Sequence, residues 1–207
     1  MNIENDPLER VKWIYSSSDD KELAERYDQW AKDYDVNLNE VFGWLGPQRA
    51  VEFFCRYVAK KAKILDAGVG TGLVGQILAK KGYNDLTAMD LSKGMLEEAR
   101  KKGVYHAFHQ MVMGESLDYE TDFFDAVISV GVLTLGHAPA DSFDELIRVT
   151  KPSGHIVFSL RPDVYIDYGF KEKQDFLEAG GKWRRLEVSE KFQPMPKGEP
   201  DVYHQVW

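Results

Sequence analysis

The chain mixes short apolar runs with amphipathic stretches, and the two periods separate along its length. From residue 19, Leu23, Tyr27, Trp30 and Tyr34 recur at steps of three and four, which places them on one face of a helix. Asp19 stands where an N-cap belongs, with Glu22 three positions on as in a capping box. Residues 1–18 are polar with scattered apolar positions and a Ser16-Ser17-Ser18 run, so the first helix is expected only after them. A second helix opens at Pro47, a favourable first-turn residue, and runs through Ala50, Val51, Phe54 and Val58. Beyond residue 60 the pattern predicts strands over 62–67, 86–89, 105–112, 126–130, 155–160, 183–191 and 202–207. Helices are predicted over 73–80, 92–102, 140–150 and 170–179, with Gly82 and Gly103 as stops, Ser92 as a cap and 151–154 as a turn. Such alternation implies an α/β chain whose mostly parallel seven-stranded sheet carries helices on both faces. Residues 1–60 read as a helical cap belonging to the same domain as a core over 61–207. The chain ends inside an apparent strand, and the native chain is expected to continue past Trp207.

Composition narrows the class. Hydrophobic residues make up 43% and charged residues 29%, ordinary values for a folded domain. Cys55 is the single cysteine, so no internal disulfide forms, and it has no partners at zinc spacing; no metal is expected. The N-terminal stretch is polar and acidic, unlike a signal or transit peptide, and no apolar run reaches the roughly 20 residues of a membrane helix. A cytoplasmic protein without a membrane partner is the expectation. The formal charge of −8 disfavours nucleic acid, and the cluster Lys182, Arg184, Arg185 reads as a solvated strand edge.

The chemistry concentrates in Ile64-Leu65-Asp66-Ala67-Gly68-Val69-Gly70-Thr71-Gly72, which joins the first core strand to a helix. Glycines let the backbone turn sharply and approach a ligand closely, and the helix behind them offers free N–H groups. Gly68-x-Gly70 also occurs in dinucleotide folds, but here the spacing continues to Gly72 and Asp66 precedes it. A carboxylate beside a pyrophosphate is repelled; beside an ammonium or a sulfonium it is attracted. Asp90 ends the next strand, 22 residues after Gly68, where an acidic side chain can accept hydrogen bonds from ribose hydroxyls. The pattern therefore points to a ribose-containing cofactor that carries positive charge.

These blocks resemble those of the class I S-adenosylmethionine (SAM)-dependent methyltransferases. Residues 66–72 match their DxGxGxG signature, and Asp90-Leu91-Ser92 with Met95, Leu96 and Ala99 is similar to their DxSxxMLxxA segment. Phe124-Asp125-Ala126-Val127-Ile128-Ser129 resembles the FDxVxS strand, and 146–155 the LxRVxKPGG turn. Residues 27–35 also look like the YDxWAxxYD cap segment of the methyltransferase-like proteins related to the Williams–Beuren region methyltransferase. The resemblance implies a Rossmann-like fold, SAM as cofactor and S-adenosylhomocysteine as product. It places Asp66 and Gly68 along the methionine part of SAM, Gly70 and Gly72 beneath it, Asp90 on the ribose, and Leu91 with Met95 at the adenine. Gly114 and Glu115 would meet the adenine edge, although Met113-Gly114-Glu115 departs from the common pattern and leaves open which atom reads the amine. Val130 would face the sulfonium, with Gly131 and Leu133 lining the methyl exit. Tyr27, Trp30 and Tyr34 would form a lid, besides packing the cap.

Methyl transfer needs alignment more than a catalytic triad, and none is visible. His137, after the fourth strand, is the best-placed candidate base, ahead of Tyr165 and Tyr168. The other histidines, His204 among them, read as structural. Residues 161–168 are the candidate substrate wall, with Arg161 open to pairing with an anion or with a surface carboxylate. No NPPY-like run follows the fourth strand, which removes the usual signature for methylating exocyclic amines of nucleic acids. The expected function is methylation of a small molecule, with a protein acceptor still open. The alternative is a SAM-binding sensor or scaffold without catalysis. A nicotinamide dehydrogenase is disfavoured by Asp66 and the glycine spacing. Oligomeric state is not readable.

Overall fold

A computed structural model describes residues 6–207. Six strands form one sheet in the order β3-β2-β1-β4-β5-β6: β1 (Lys63–Ala67), β2 (Asp85–Asp90), β3 (Ala107–Gln110), β4 (Phe124–Ser129), β5 (Thr150–Leu160) and β6 (Gln205–Val206). The first five run parallel and β6 joins β5 antiparallel. This is the Rossmann-like α/β arrangement expected, with one strand fewer. Residues 183–191 run beside β6 without a regular ladder. Ser189 N–H donates to Val206 O (2.8 Å), but Val206 N–H donates to the Ser189 hydroxyl (2.8 Å) instead of a backbone carbonyl. A side chain thus takes the place of a rung, and pairing resumes only at the Phe192–His204 bridge.

Because successive strand residues face opposite ways, β1 feeds two cores. Ile64 packs with Leu86, Ala126 and Ile128 under α3 (Gly46–Phe54), α4 (Leu73–Lys80) and α5 (Lys93–Lys101). Leu65 packs with Met89, Val127 and Phe158 under α6 (Ser142–Val149) and α8 (Phe170–Ala179). Where a turn was expected at 151–154, β5 continues through a bulge. The register jumps from Phe124↔Thr150 to Ala126↔His155, and Ser153 takes φ +66°.

A third, smaller core belongs to the N-terminal helices. α1 (Pro7–Tyr15) and α2 (Asp20–Val36) bury Val11, Ile14, Leu23 and Trp30 together with Leu38 and Phe42 from a π-helical turn, Asn37–Phe42. α1 was not expected from the sequence; Asp6 caps it and Pro7 opens it. α2 begins as predicted: the Asp19 carboxylate accepts from Glu22 N–H (2.8 Å). The Glu22 carboxylate reaches back one residue further than a capping box requires, to Ser18 N–H (2.8 Å). α7 (Pro162–Asp167) occupies most of the segment expected as a substrate wall.

Candidate functional site

The carboxyl ends of β1 and β2 meet beneath α2. After Ala67 the chain turns back on itself, with Gly68 and Val69 N–H both donating to Met89 O (2.8 and 2.9 Å). Gly68, Gly70 and Gly72 all take positive φ. At Gly68 no other residue fits. A Cβ there would lie 2.3 Å from Val132 Cγ2, on a backbone at φ +76° that L side chains rarely adopt.

Two carboxylates flank this turn. Asp90 is 6% exposed; its oxygens accept from Gly70 N–H (2.8 Å) and Ser92 N–H (2.9 Å). It therefore ties the glycine turn to the start of α5, while Ser92, as expected, caps that helix through Met95 N–H (3.0 Å). Burial pushes the Asp90 carboxyl up to about 6, against the lowering effect of those bonds. Asp66 is fully buried. One of its oxygens accepts from the Tyr105 hydroxyl (2.6 Å), which in turn accepts from Gly75 N–H (2.9 Å). The other, Oδ1, has no partner. Burial raises Asp66 to about 7, and nearby Asp90 adds to that rise. Both carboxylates share one turn, and no basic side chain among the described residues bonds to either. The electrostatic demand of this place is for positive charge.

α2 lies across it. Tyr34 is the side chain over Gly70, 3.9 Å from the position a Cβ would take. Tyr34 meets Trp30 edge-on at 4.8 Å and Tyr27 at 6.3 Å between ring centroids. Trp30 anchors itself by donating from Nε1 to Asn37 Oδ1 (2.8 Å). Leu91 packs against this aromatic cluster, and Met95 is buried behind the α5 cap. Two acidic residues that the sequence reading left without a role fasten the helix down. The Asp28 carboxylate accepts from the Ser92 hydroxyl (2.5 Å) and Gly94 N–H (2.7 Å). The Asp35 carboxylate accepts from the Thr71 hydroxyl and pairs with Lys102. Seven residues apart, the two share a helix face; the signal was their spacing.

The remaining sequence candidates lie around this centre. Val130 is half-buried and packs on the α3/α4 side of the sheet. Gly114 and Glu115 are exposed on the turn after β3, next to the end of β2 because Met111 N–H donates to Asp90 O (3.1 Å). His137 is half-buried, and both ring nitrogens are engaged. Nδ1 lies 3.2 Å from Leu135 O and Nε2 lies 2.7 Å from the Tyr27 hydroxyl. A carbonyl only accepts, so Nδ1 carries the proton and Tyr27 donates to Nε2. Burial holds the ring below its usual range and hence neutral. In this arrangement His137 fastens α2 to the loop after β4. Arg161 is spanned by Asp163 in a two-point contact (3.1 and 2.5 Å) rather than left open to an anion.

Beside the aromatic face of α2 lies a cleft that includes Gly131 and Leu133, expected at the methyl exit, and other residues for which the sequence held no signal. Gly131, Leu133 and Thr134, after β4, form its floor, and Trp44, Met195, Glu199 and His204 form its far wall. Trp44 lies over Gly131 and meets His204 edge-on at 6.2 Å. Thr134 Oγ1 and His204 Nδ1 are buried there without partners. A buried polar atom left unpaired costs about 1–3 kcal/mol. Among the described residues no cluster of histidine, cysteine, aspartate or glutamate could hold a metal ion, and no helix is long and apolar enough to cross a membrane.

Comparison with known proteins agrees with this architecture. Residues 65–158 match the family model described as "Methyltransferase domain". The chain is 33% identical over 184 residues to human methyltransferase-like protein 27, covering 86% of this chain and 74% of that protein. It is 35% identical over 101 residues to the ubiquinone biosynthesis O-methyltransferase of Alkalilimnicola ehrlichii, covering 47% of this chain and 40% of that one. Among solved structures, a SAM-dependent methyltransferase from Thermotoga maritima, titled a possible histamine N-methyltransferase, superposes with a TM-score of 0.62. That match has 17% identity and covers 87% of this chain and 95% of that one. The chain belongs to the family of SAM-dependent methyltransferases, and SAM is its cofactor.

Proposed function

We propose that this protein transfers the methyl group of SAM to a small-molecule acceptor. The observation that carries the reading is the buried pair Asp66 and Asp90, held within one turn with no basic partner and with Asp66 Oδ1 unpaired. A cofactor bearing an ammonium and a sulfonium meets that demand, whereas a pyrophosphate would add negative charge to it. Asp66 receives the ammonium. Asp90 keeps lone pairs beyond the two given to backbone amides and offers them to the ribose hydroxyls. Leu91 and Met95 supply the apolar seat of the adenine, with Gly114 and Glu115 at its edge. Gly68, Gly70 and Gly72 line the methionine part, and Val130 lies toward the sulfur. Tyr27, Trp30 and Tyr34 close over the site and exclude water during transfer.

SAM supplies the electrophilic methyl carbon. The protein's work is alignment, which is worth about 7–11 kcal/mol when reacting atoms are well placed. The cleft at the end of β4 is small, partly open and lined by the aromatic face of α2, and similarity to a ubiquinone biosynthesis O-methyltransferase supports a small acceptor. Incubation with methyl-labelled SAM and a panel of small acceptors should give S-adenosylhomocysteine and a labelled product. Tight SAM binding with no label transferred to any acceptor would favour the sensor reading instead.

A further inference from the structure

The cleft beside α2 has a chemical signature of its own, and what it says about the acceptor rests on the methyl-transfer reading above. Thr134 and His204 are 7% and 8% exposed, and both line the cleft. Oγ1 of the one and Nδ1 of the other have no partner in the fold. Around them the walls are apolar and largely aromatic, made by Tyr27, Trp30, Trp44 and Met195. Aromatic side chains on several sides suit an aromatic ligand, which can stack on them or meet them edge-on. The charged groups argue against an anion. Arg161, at the rim, is already neutralised by Asp163, and Glu199 contributes a further half-buried carboxylate whose value burial raises. A benzoate or phosphate entering here would meet Glu199 with no free cation to receive it.

We propose that the acceptor is an uncharged aromatic alcohol, a phenol, whose hydroxyl is received between Thr134 and His204 and is the atom methylated. A hydroxyl both donates and accepts, so it can satisfy a threonine hydroxyl and an imidazole nitrogen at once. No hydrogen bond fixes the His204 tautomer, so Nδ1 is free to present a lone pair. Burial pulls His204 down to about 4, keeping it neutral near pH 7. In the transfer, a lone pair of the phenol oxygen forms the new O–CH3 bond. The S–CH3 bond breaks and its electron pair goes to sulfur, turning the sulfonium into a thioether. The hydroxyl proton passes to His204 Nδ1 and from there to solvent. Even a weakened imidazole is a sufficient base at that moment, because an oxygen acquiring a methyl group is a far stronger acid than an imidazolium. His204 therefore takes the part for which His137 was the candidate, since one His137 nitrogen is bonded to Tyr27 of α2 and the other to Leu135 O in its own loop.

The test uses the full chain saturated with S-adenosylhomocysteine, titrated with three probes of one size: 4-ethylphenol, phenethylamine and phenylacetate. The phenol is expected to bind at least tenfold tighter than the other two. Thr134→Val and His204→Leu should each weaken the phenol about tenfold while leaving S-adenosylhomocysteine affinity unchanged. With SAM in place of its product, 4-ethylphenol should yield its methyl ether. The rate should fall at least tenfold in His204→Leu, with His137→Leu affecting cofactor binding more than this step. Preference for the amine or the acid, equal binding of all three, or no binding of the phenol would overturn the proposal while leaving the methyltransferase reading intact. Failure to bind S-adenosylhomocysteine at all would overturn both.

Discussion

Asp66 sets function against stability in a way that can be measured without any acceptor. Its carboxyl is fully buried, keeps one oxygen unpaired, and is raised from 3.8 to about 7 by loss of solvation. A raised carboxyl means the native state holds the proton more tightly than the unfolded chain. The stability this confers is complete below the unfolded value of 3.8 and is lost as pH climbs through about 7. Linkage with these two values gives a loss of about 2–3 kcal/mol between pH 5 and pH 8 from this one group. For a chain of this size that corresponds to about 5–10 °C in melting temperature. Asp66→Asn is uncharged throughout, so its stability should lack this slope. The amide can still accept from Tyr105, although its NH2 is left unpaired where Oδ1 was. That defect costs about 1–3 kcal/mol at every pH and so shifts the curve without tilting it. The assay is thermal unfolding of both proteins without SAM from pH 5 to pH 8, beside SAM affinity at pH 8. The variant should gain steadily on the wild type as pH rises, and SAM should bind it about 10–100-fold more weakly through loss of a charge-assisted bond. Parallel pH curves for the two proteins would refute the reasoning, since they would mean Asp66 ionises in the fold at no cost.

Three further outcomes follow from other parts of the site. Asp90→Ala should weaken SAM binding by about 1–3 kcal/mol, read by calorimetry, because it removes the ribose acceptor and unties Gly70 from Ser92; unchanged affinity with intact folding would remove the ribose assignment. Gly68→Ala should destabilise by about 2–5 kcal/mol, combining left-handed strain with the overlap on Val132. Gly103→Ala, at φ +66° with nothing within 4 Å, should cost only the strain of about 1–2 kcal/mol; denaturant unfolding that ranks the two equally would contradict this. Thr134→Val should leave the melting temperature of the free protein unchanged or higher, since it removes a buried hydroxyl that bonds to nothing; a fall of several degrees would show that the hydroxyl is already satisfied.

What could be read in the sequence was local. The glycine turn, Asp90 and the Ser92 cap are set by backbone chemistry within a few residues, and the aromatic face of α2 follows from the spacing of Tyr27, Trp30 and Tyr34. The structure keeps all of these in place. The signal for α1 was also present, because Asp6 and Pro7 precede Leu8, Val11 and Ile14 at helical spacing. The polar composition of the segment hid it. What was not legible depends on distant partners. Asp28 and Asp35 have no legible role in the sequence because their donors come from α5 and the glycine turn. The strand expected over 183–191 has the right composition, but the Ser189 side chain takes over a backbone rung and breaks the ladder. His204 lies 70 residues beyond Thr134 and reaches the same cleft through the antiparallel return of the C-terminal strand onto β5.

The central claim is that the turn between Asp66 and Asp90 is built for a positively charged nucleoside. It is tested most directly by calorimetric titration of the purified protein with SAM, S-adenosylhomocysteine and NADH. The account predicts saturable one-to-one binding of the first two, strengthening as pH rises from 6 to 8 and Asp66 and Asp90 ionise, with no heat from NADH. Binding of NADH in preference to SAM, or SAM affinity that falls over that pH range, would contradict it.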